Sequence, residues 1–102
     1  VIAGDGAFFM HGMEIHTAIE HDAPLSLIIL NNDAHGMCVT RDRLYFPDTT
    51  TVNRFRPTAI AAGLDTMFAD LVVRHLTDID DIAECCAGFF VADGPNCVVI
   101  DV

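Results

Sequence analysis

The sequence predicts an α/β domain, a mostly parallel sheet flanked by helices. Short runs rich in Val, Ile and Leu alternate with longer stretches whose apolar residues recur at helical spacing. The run LSLIIL at 25–30 is apolar without interruption, as a strand covered on both faces should be. The segment before it is long enough for a helix that returns the chain across the sheet, which favours parallel pairing over hairpins.

Taken in order, residues 1–3 read as a buried strand. Residues 8–21 carry Phe9, Met13, Ile15, Ala18 and Ile19 close to a 3.6 period and read as a helix, ended by Asp22-Ala23-Pro24. The strand at 25–30 follows, then the polar loop NNDAHG at 31–36. A short helix is predicted at 37–45 and an exposed connection at 46–51. Pro57 suits the first turn of a helix running to Ala62 and stopped by Gly63. Residues 71–73 read as a strand. Thr77-Asp78-Ile79-Asp80 is a capping-box-like start, with acids at the positive end of a helix that should run to about Phe90. Asp93-Gly94-Pro95 is a turn, and residues 97–102 form the last strand. No repeat, linker or low-complexity tract interrupts this order.

Length and charge narrow the function. One domain fits 102 residues, and a chain of this size buries roughly 65% of its unfolded surface. The net charge of −10 arises from fifteen acids against five arginines, with no lysine. Such a surface excludes nucleic acid and anionic membranes as partners, because both require basic patches. A phosphate ligand must therefore be held by backbone amides or through a metal. The four cysteines have neither CxxC spacing nor the density of a secreted scaffold, which points to reduced thiols and a cytoplasmic protein. No apolar run approaches the roughly 20 residues of a membrane span. The chain starts and stops inside apparent strands, so it is expected to be one piece of a longer polypeptide.

The first third then acquires a chemical meaning. A helix of about 15 residues and a strand of about 7 both cover about 22 Å. The return journey thus brings the loop at Asn32 level with Asp5, at the carboxyl edge of two parallel strands, where open α/β sheets bind ligands. Asp5 offers a carboxylate, Asn32 a carboxamide oxygen, and the irregular backbone beyond it a carbonyl. Three oxygens of low total charge suit a hard cation such as Mg²⁺, which takes its remaining ligands from phosphate and water. Gly6 permits close approach of a ligand, and the amides of Gly6 and Ala7 open a helix toward it. A metal-bound diphosphate satisfies both halves of this arrangement.

GDG at 4–6 followed by NN at 31–32 resembles the cofactor motif of thiamine diphosphate-dependent enzymes. The similarity extends through GDGAFFMHGMEIHTAIEHDAPLSLIILNNDAHGM, which is similar to acetolactate synthases and related 2-oxo acid decarboxylases; the remaining two thirds follow that family's diphosphate-binding domain more loosely. The resemblance implies the thiamine diphosphate-binding fold, with Asp5, Asn32 and the Ala34 carbonyl as Mg²⁺ ligands. It further implies that Gly6, Ala7, His35 and Gly36 meet the diphosphate and that Met37 lies against the thiazolium or substrate.

Two positions depart from the pattern. Fermentative pyruvate decarboxylases carry a catalytic glutamate where this chain has Cys38, and a thiol cannot replace a carboxylate in moving a proton near neutral pH. Acetolactate synthases have an apolar residue there, which Cys38 imitates better. They place an aromatic at the position of Arg41, so the acceptor stays open. In this family the acid that activates the aminopyrimidine belongs to another domain, so this chain alone is expected to be half a site and inactive.

Other candidates have plainer explanations. His11, His16 and His21 are spaced by five, about 140° apart per step on a helix, and share no face. His35 sits in the ligand loop, where a structural hydrogen bond and proton transfer are both open. Cys85 and Cys86 read as small helix residues, and Phe8, Phe9 and Met10 as core. Asp78, Asp80 and Asp81 are explained by capping, whereas Arg54 and Arg56 are open to solvation, a substrate carboxylate or a subunit interface.

The sequence therefore points to the diphosphate- and Mg²⁺-binding domain of an acetolactate synthase-like 2-oxo acid carboligase. A benzoylformate-type or other 2-oxo acid decarboxylase is the alternative within the class, and a non-catalytic or regulatory remnant the alternative outside it. The implied partners are a small 2-oxo acid and the pyrimidine-binding domain of the same or a partner subunit, in a homodimer or homotetramer. A receiver-type signalling domain, also doubly wound, would need a lysine that the chain lacks.

Overall fold

The computed structural model describes residues 1–102 apart from Phe90 and Ala92. Four parallel strands, β1 (Ile2–Gly4), β2 (Ser26–Asn31), β3 (Val72–Leu76) and β4 (Asn96–Asp101), form one sheet in the order β1-β2-β4-β3. Five helices connect them: α1 (Asp5–His11), α2 (Ile15–Glu20), α3 (Gly36–Tyr45), α4 (Ile60–Met67) and α5 (Ile82–Phe89). The predicted α/β architecture is the one observed.

The sheet is covered on both faces at its centre, and the pleat of β4 shows how. Cys97 and Val99 join Leu27 and Ile29 in a core with Phe8, Ile15, Ile60, Ala61, Leu64 and Leu71, from α1, α2, α4 and the entry to β3. Val98 and Ile100 point the other way, onto Cys85 and Phe89 of α5. Alternate residues of one strand thus feed two cores, and for that reason β4 reads as a continuous apolar run; β2, expected to be covered on both faces, buries Leu27 and Ile29 but leaves Ile28 half-buried and Leu30 38% exposed. Full burial of each large aliphatic side chain contributes about 1.5–3 kcal/mol.

The first helix does not run unbroken from 8 to 21. It starts at Asp5, stops at Gly12 and resumes at Ile15 after a 3-10 turn at Gly12–Glu14. The Phe8 ring occupies the place a Gly12 side chain would need. This break re-phases the face: Phe8 and Ile15 turn inward, whereas Phe9, Met10 and Met13, expected in the core or on its face, are exposed. Likewise residues 1–3 were expected to form a buried strand, but β1 is an edge strand paired only with β2, and Ile2 is 71% exposed.

Three further boundaries move. Pro57 and Gly63 do not bracket a helix, since α4 begins at Ile60 and Gly63 lies inside it facing open space. Ile60, Ala61 and Leu64 anchor that helix on the sheet and override the weak stop signal. β3 continues through Arg74 and His75, polar residues that an edge strand accommodates. Before α5 a 3-10 turn spans Ile79–Asp81, where Asp78 Oδ1 accepts the Asp80 N–H at 2.9 Å, so the cap is Asp78. Phe90, the predicted end of this helix, lies outside the described residues. Gly94 takes φ 87° in the turn before β4, as predicted for 93–95.

The molecule is elongated. Its Cα radius of gyration is 15.1 Å with a long axis of 49 Å, against about 13 Å for a compact chain of this length. Met37, Leu44, Tyr45 and Phe46 on and after α3 are exposed, and α3 itself buries only Val39. No helix among the described residues is long and apolar enough to cross a membrane.

Candidate functional site

β1 and β2 run side by side in parallel, with Gly4 opposite Leu30. Their carboxyl ends therefore release Asp5 and Asn32 at the same edge. Contact between the two loops is direct: the Asp5 carboxylate accepts the Gly6 N–H through Oδ1 at 2.9 Å and the Ala34 N–H through Oδ2 at 3.1 Å. Asp5 is 1% exposed. Among the described residues it has no cationic side chain as partner, the ion pairs being His16–Glu20 and His75–Asp101. A buried carboxylate held by two amides still has lone pairs directed elsewhere, and a buried charge calls for a counter-ion or a metal.

All eight residues singled out in the sequence line one cleft of about 470 Å³: Asp5, Gly6, Ala7, Asn32, Ala34, His35, Gly36 and Met37. Met10, Leu30 and Cys38 complete its apolar side. Within it Asp5, Gly6 and Ala34 are buried, while Ala7, Asn32 and Met37 are exposed. Gly6 is required by its surroundings, because a side chain there would overlap the His35 ring. That ring also stands edge-on to Phe55, centroids 4.8 Å apart, and Phe55 meets Phe9 at 5.6 Å.

Two backbone amides expected at the diphosphate have partners within the protein. Gly6 donates to Asp5, as above, and His35 donates to the Asn53 carbonyl at 2.9 Å. Ala7 and Gly36, the second member of each pair, stand at the first turns of α1 and α3. Among the described residues no three His, Cys, Asp or Glu side chains gather into a metal cluster. The donor set at this edge is of a different kind: one carboxylate, one carboxamide and main chain.

The sequence reading missed two networks. Asn31, the first of the NN pair, donates through Nδ2 to Asp101 Oδ1 at 2.9 Å, and Asp101 Oδ2 lies 2.8 Å from His75 Nε2. These contacts tie the ends of β2, β4 and β3 together. The hydrogen bond from Asn31, aided by His75 and opposed by partial desolvation, lowers the Asp101 pKa below its usual value. The second network lies under the cofactor loop. Asp33 adopts φ 51°, a left-handed conformation, and the chain beyond it pairs with residues 53–55 through an antiparallel bridge between Ala34 and Arg54. Asp42 in α3 accepts from Asn53 Nδ2 at 2.8 Å and from Thr51 Oγ1 at 2.5 Å, and these hydrogen bonds lower its pKa. No periodicity announces such contacts, and the sequence shows only an exposed connection at 46–51.

The family described as "Thiamine pyrophosphate enzyme, C-terminal TPP binding domain" matches residues 1–102. The chain is 26% identical over 98 residues to a sulfoacetaldehyde acetyltransferase of Alcaligenes xylosoxydans xylosoxydans, covering 95% of this chain and 16% of that protein. It is 40% identical over 45 residues to the mitochondrial acetolactate synthase of Schizosaccharomyces pombe, covering 44% of this chain and 7% of that protein. The chain thus spans at most about a sixth of these relatives. In fold it is similar to a thiamine diphosphate-dependent 4-hydroxybenzoylformate decarboxylase of Rhodococcus jostii RHA1, with a TM-score of 0.86 and 16% identity over 99% of this chain and 19% of that one. With the whole of its length matched, the chain belongs to the thiamine pyrophosphate enzymes, as their C-terminal TPP-binding domain.

Proposed function

We propose that this domain holds thiamine diphosphate through Mg²⁺ in an acetolactate synthase-like carboligase acting on a 2-oxo acid. The observation that carries the reading is the buried Asp5 carboxylate, without a cationic partner among the described residues, joined to the amide of Ala34 from the loop that follows β2. Asp5 supplies the charge, and Asn32 and the Ala34 carbonyl supply neutral oxygens, a set suited to a hard cation that shares its remaining positions with phosphate and water. Ala7 and Gly36 are the amides offered to the diphosphate, while Gly6 keeps the cleft open by having no side chain.

When bound, thiamine diphosphate supplies the nucleophilic carbon that adds to a 2-oxo acid and retains the electron pair released with CO₂. The protein's part at this edge is to orient and to exclude water. Met10, Met37 and Cys38 form the apolar side, and Cys38, a thiol, does not provide the carboxylate that a simple decarboxylase uses to return a proton. That absence favours transfer to an acceptor over release of an aldehyde. The acid that activates the aminopyrimidine comes from a pyrimidine-binding domain of the same or a partner subunit, and the exposed Met37, Leu44, Tyr45 and Phe46 give such a partner an apolar surface. We therefore read the chain as one domain of a homodimer or homotetramer, inert by itself. Four free cysteines suit a reducing, cytoplasmic setting.

Calorimetric titration of the full-length protein with thiamine diphosphate, with and without Mg²⁺, tests the binding. Saturable binding that requires the metal is the expected result, and binding unaffected by chelator sinks the proposal. Incubating the loaded enzyme with pyruvate then separates the reactions. A coupled hydroxy-oxo acid product supports the carboligase, and free aldehyde alone supports the decarboxylase alternative.

A further inference from the structure

We propose that Asp42 is a positioning residue for the cofactor loop: its carboxylate, gripping Thr51 and Asn53, holds residues 53–55 as a splint along residues 33–35. This inference rests on the reading above, in which that loop binds the metal diphosphate. The chain of contacts is continuous. Asp42 Oδ2 accepts from both Thr51 Oγ1 and Asn53 Nδ2, and Thr51 Oγ1 in turn accepts the Asn53 N–H at 3.1 Å. Asn53 is thereby fixed by its side chain and its amide. Its carbonyl accepts from His35 N at 2.9 Å, and Phe55 N donates to the Asp33 carbonyl at 2.7 Å.

The position of Ala34 in this bridge matters. Ala34 and Arg54 face each other between the two hydrogen bonds, so they form the pair whose own N–H and C=O turn away from the neighbouring strand. The Ala34 N–H consequently goes to Asp5 at 3.1 Å. The carbonyl of an extended residue projects to the same side as its N–H, which directs the Ala34 oxygen toward the Asp5 side of the cleft. The splint also sustains the left-handed Asp33, a conformation that surrounding contacts must hold. Phe55, at the end of the splint, rests on the His35 ring. Asp42 does not line the cleft, and acts through the loop.

The test uses the full-length protein with Asp42→Ala, Asp42→Asn and Thr51→Val. At saturating thiamine diphosphate the Mg²⁺ dissociation constant should rise about tenfold in Asp42→Ala, the lower end for residues that orient a metal ligand from behind. Asp42→Asn, which keeps one acceptor oxygen, should fall between it and the wild type. The second readout needs no cofactor: amide hydrogen exchange in the unliganded protein should quicken at His35 and Phe55 and stay unchanged at Val98 and Val99. Unchanged exchange at His35 and Phe55, acceleration spread evenly through the sheet, or an unaltered Mg²⁺ constant would each overturn the inference. Should Asp42→Ala fail to fold, Thr51→Val gives the same readings. If the wild type itself does not bind the cofactor, the functional reading falls, and the exchange experiment still decides whether the splint exists.

Discussion

Replacing Asp5 by Asn changes one atom and separates the carboxylate's structural work from its electrostatic work. The side chain is 1% exposed and accepts from the amides of Gly6 and Ala34. An amide at this position keeps one oxygen for one of these donors and turns an NH₂ against the other, which costs about 1–3 kcal/mol for the donor left without an acceptor. Opposing this, the variant no longer holds a buried negative charge without a cationic partner, a burden of several kcal/mol. The cofactor-free protein should therefore lose little stability, and a small gain is within the account. The loaded protein should differ sharply. At a ligand concentration 100 times Kd the wild type gains about 2.7 kcal/mol. The variant, without the anionic metal ligand, should lose at least tenfold in Mg²⁺ affinity and with it about half of that gain or more. Thermal unfolding of both proteins with and without thiamine diphosphate and Mg²⁺ reads the two effects together. An Asp5→Asn protein that keeps the full cofactor-dependent shift would mean that the charge has no role in binding.

Other perturbations follow from the same contacts. Gly6→Ala drives a methyl into the His35 ring and should destabilise by about 1–3 kcal/mol, while the double variant with His35→Ala recovers most of that loss in a thermodynamic cycle. Asp101 titrates lower in the folded state than in the unfolded one, so the unfolded chain binds the extra proton. Its contribution is present above the ordinary carboxylate value of 3.8 and is lost as pH falls below it; Asn31→Ala should flatten the acid limb of a stability–pH curve below that value. Burial pushes the Cys97 thiol up to about 12, so native-state alkylation at pH 8 should spare Cys97 and label the half-buried Cys38 and Cys86. Bound cofactor should slow labelling of Cys38, which lines the cleft, and leave Cys86 unaffected.

The site was legible because its geometry follows from arc length. A polar motif after one strand and another after the next must meet when a helix of matching length carries the chain back, and Asp5 and Ala34 do meet. The central strands were legible for a related reason: β4 is apolar and buried on both faces, whereas β2 buries Leu27 and Ile29 on one face and leaves Ile28 half-buried and Leu30 38% exposed on the other. What the sequence concealed depends on single contacts with no period. The break at Gly12 turns Phe9 and Met13 out to solvent, while Phe8 and Ile15, both expected inward, are buried. The edge strands β1 and β3 mislead in opposite directions, Ile2 being exposed despite its apolarity and Arg74 and His75 belonging to a strand despite their charge. The connection after α3 shows no period, and its course from Thr51 to Phe55 is fixed by Asp42, nine residues before Thr51, and by pairing with residues 33–35.

The most direct measurement is a crystal structure of the full-length protein grown with thiamine diphosphate and Mn²⁺, whose anomalous signal locates the metal. One peak is expected within about 2.0–2.3 Å of an Asp5 carboxylate oxygen, the Asn32 carboxamide oxygen and the Ala34 carbonyl, with diphosphate oxygens completing the shell. A peak elsewhere, or a diphosphate seated away from Ala7 and Gly36, contradicts this assignment.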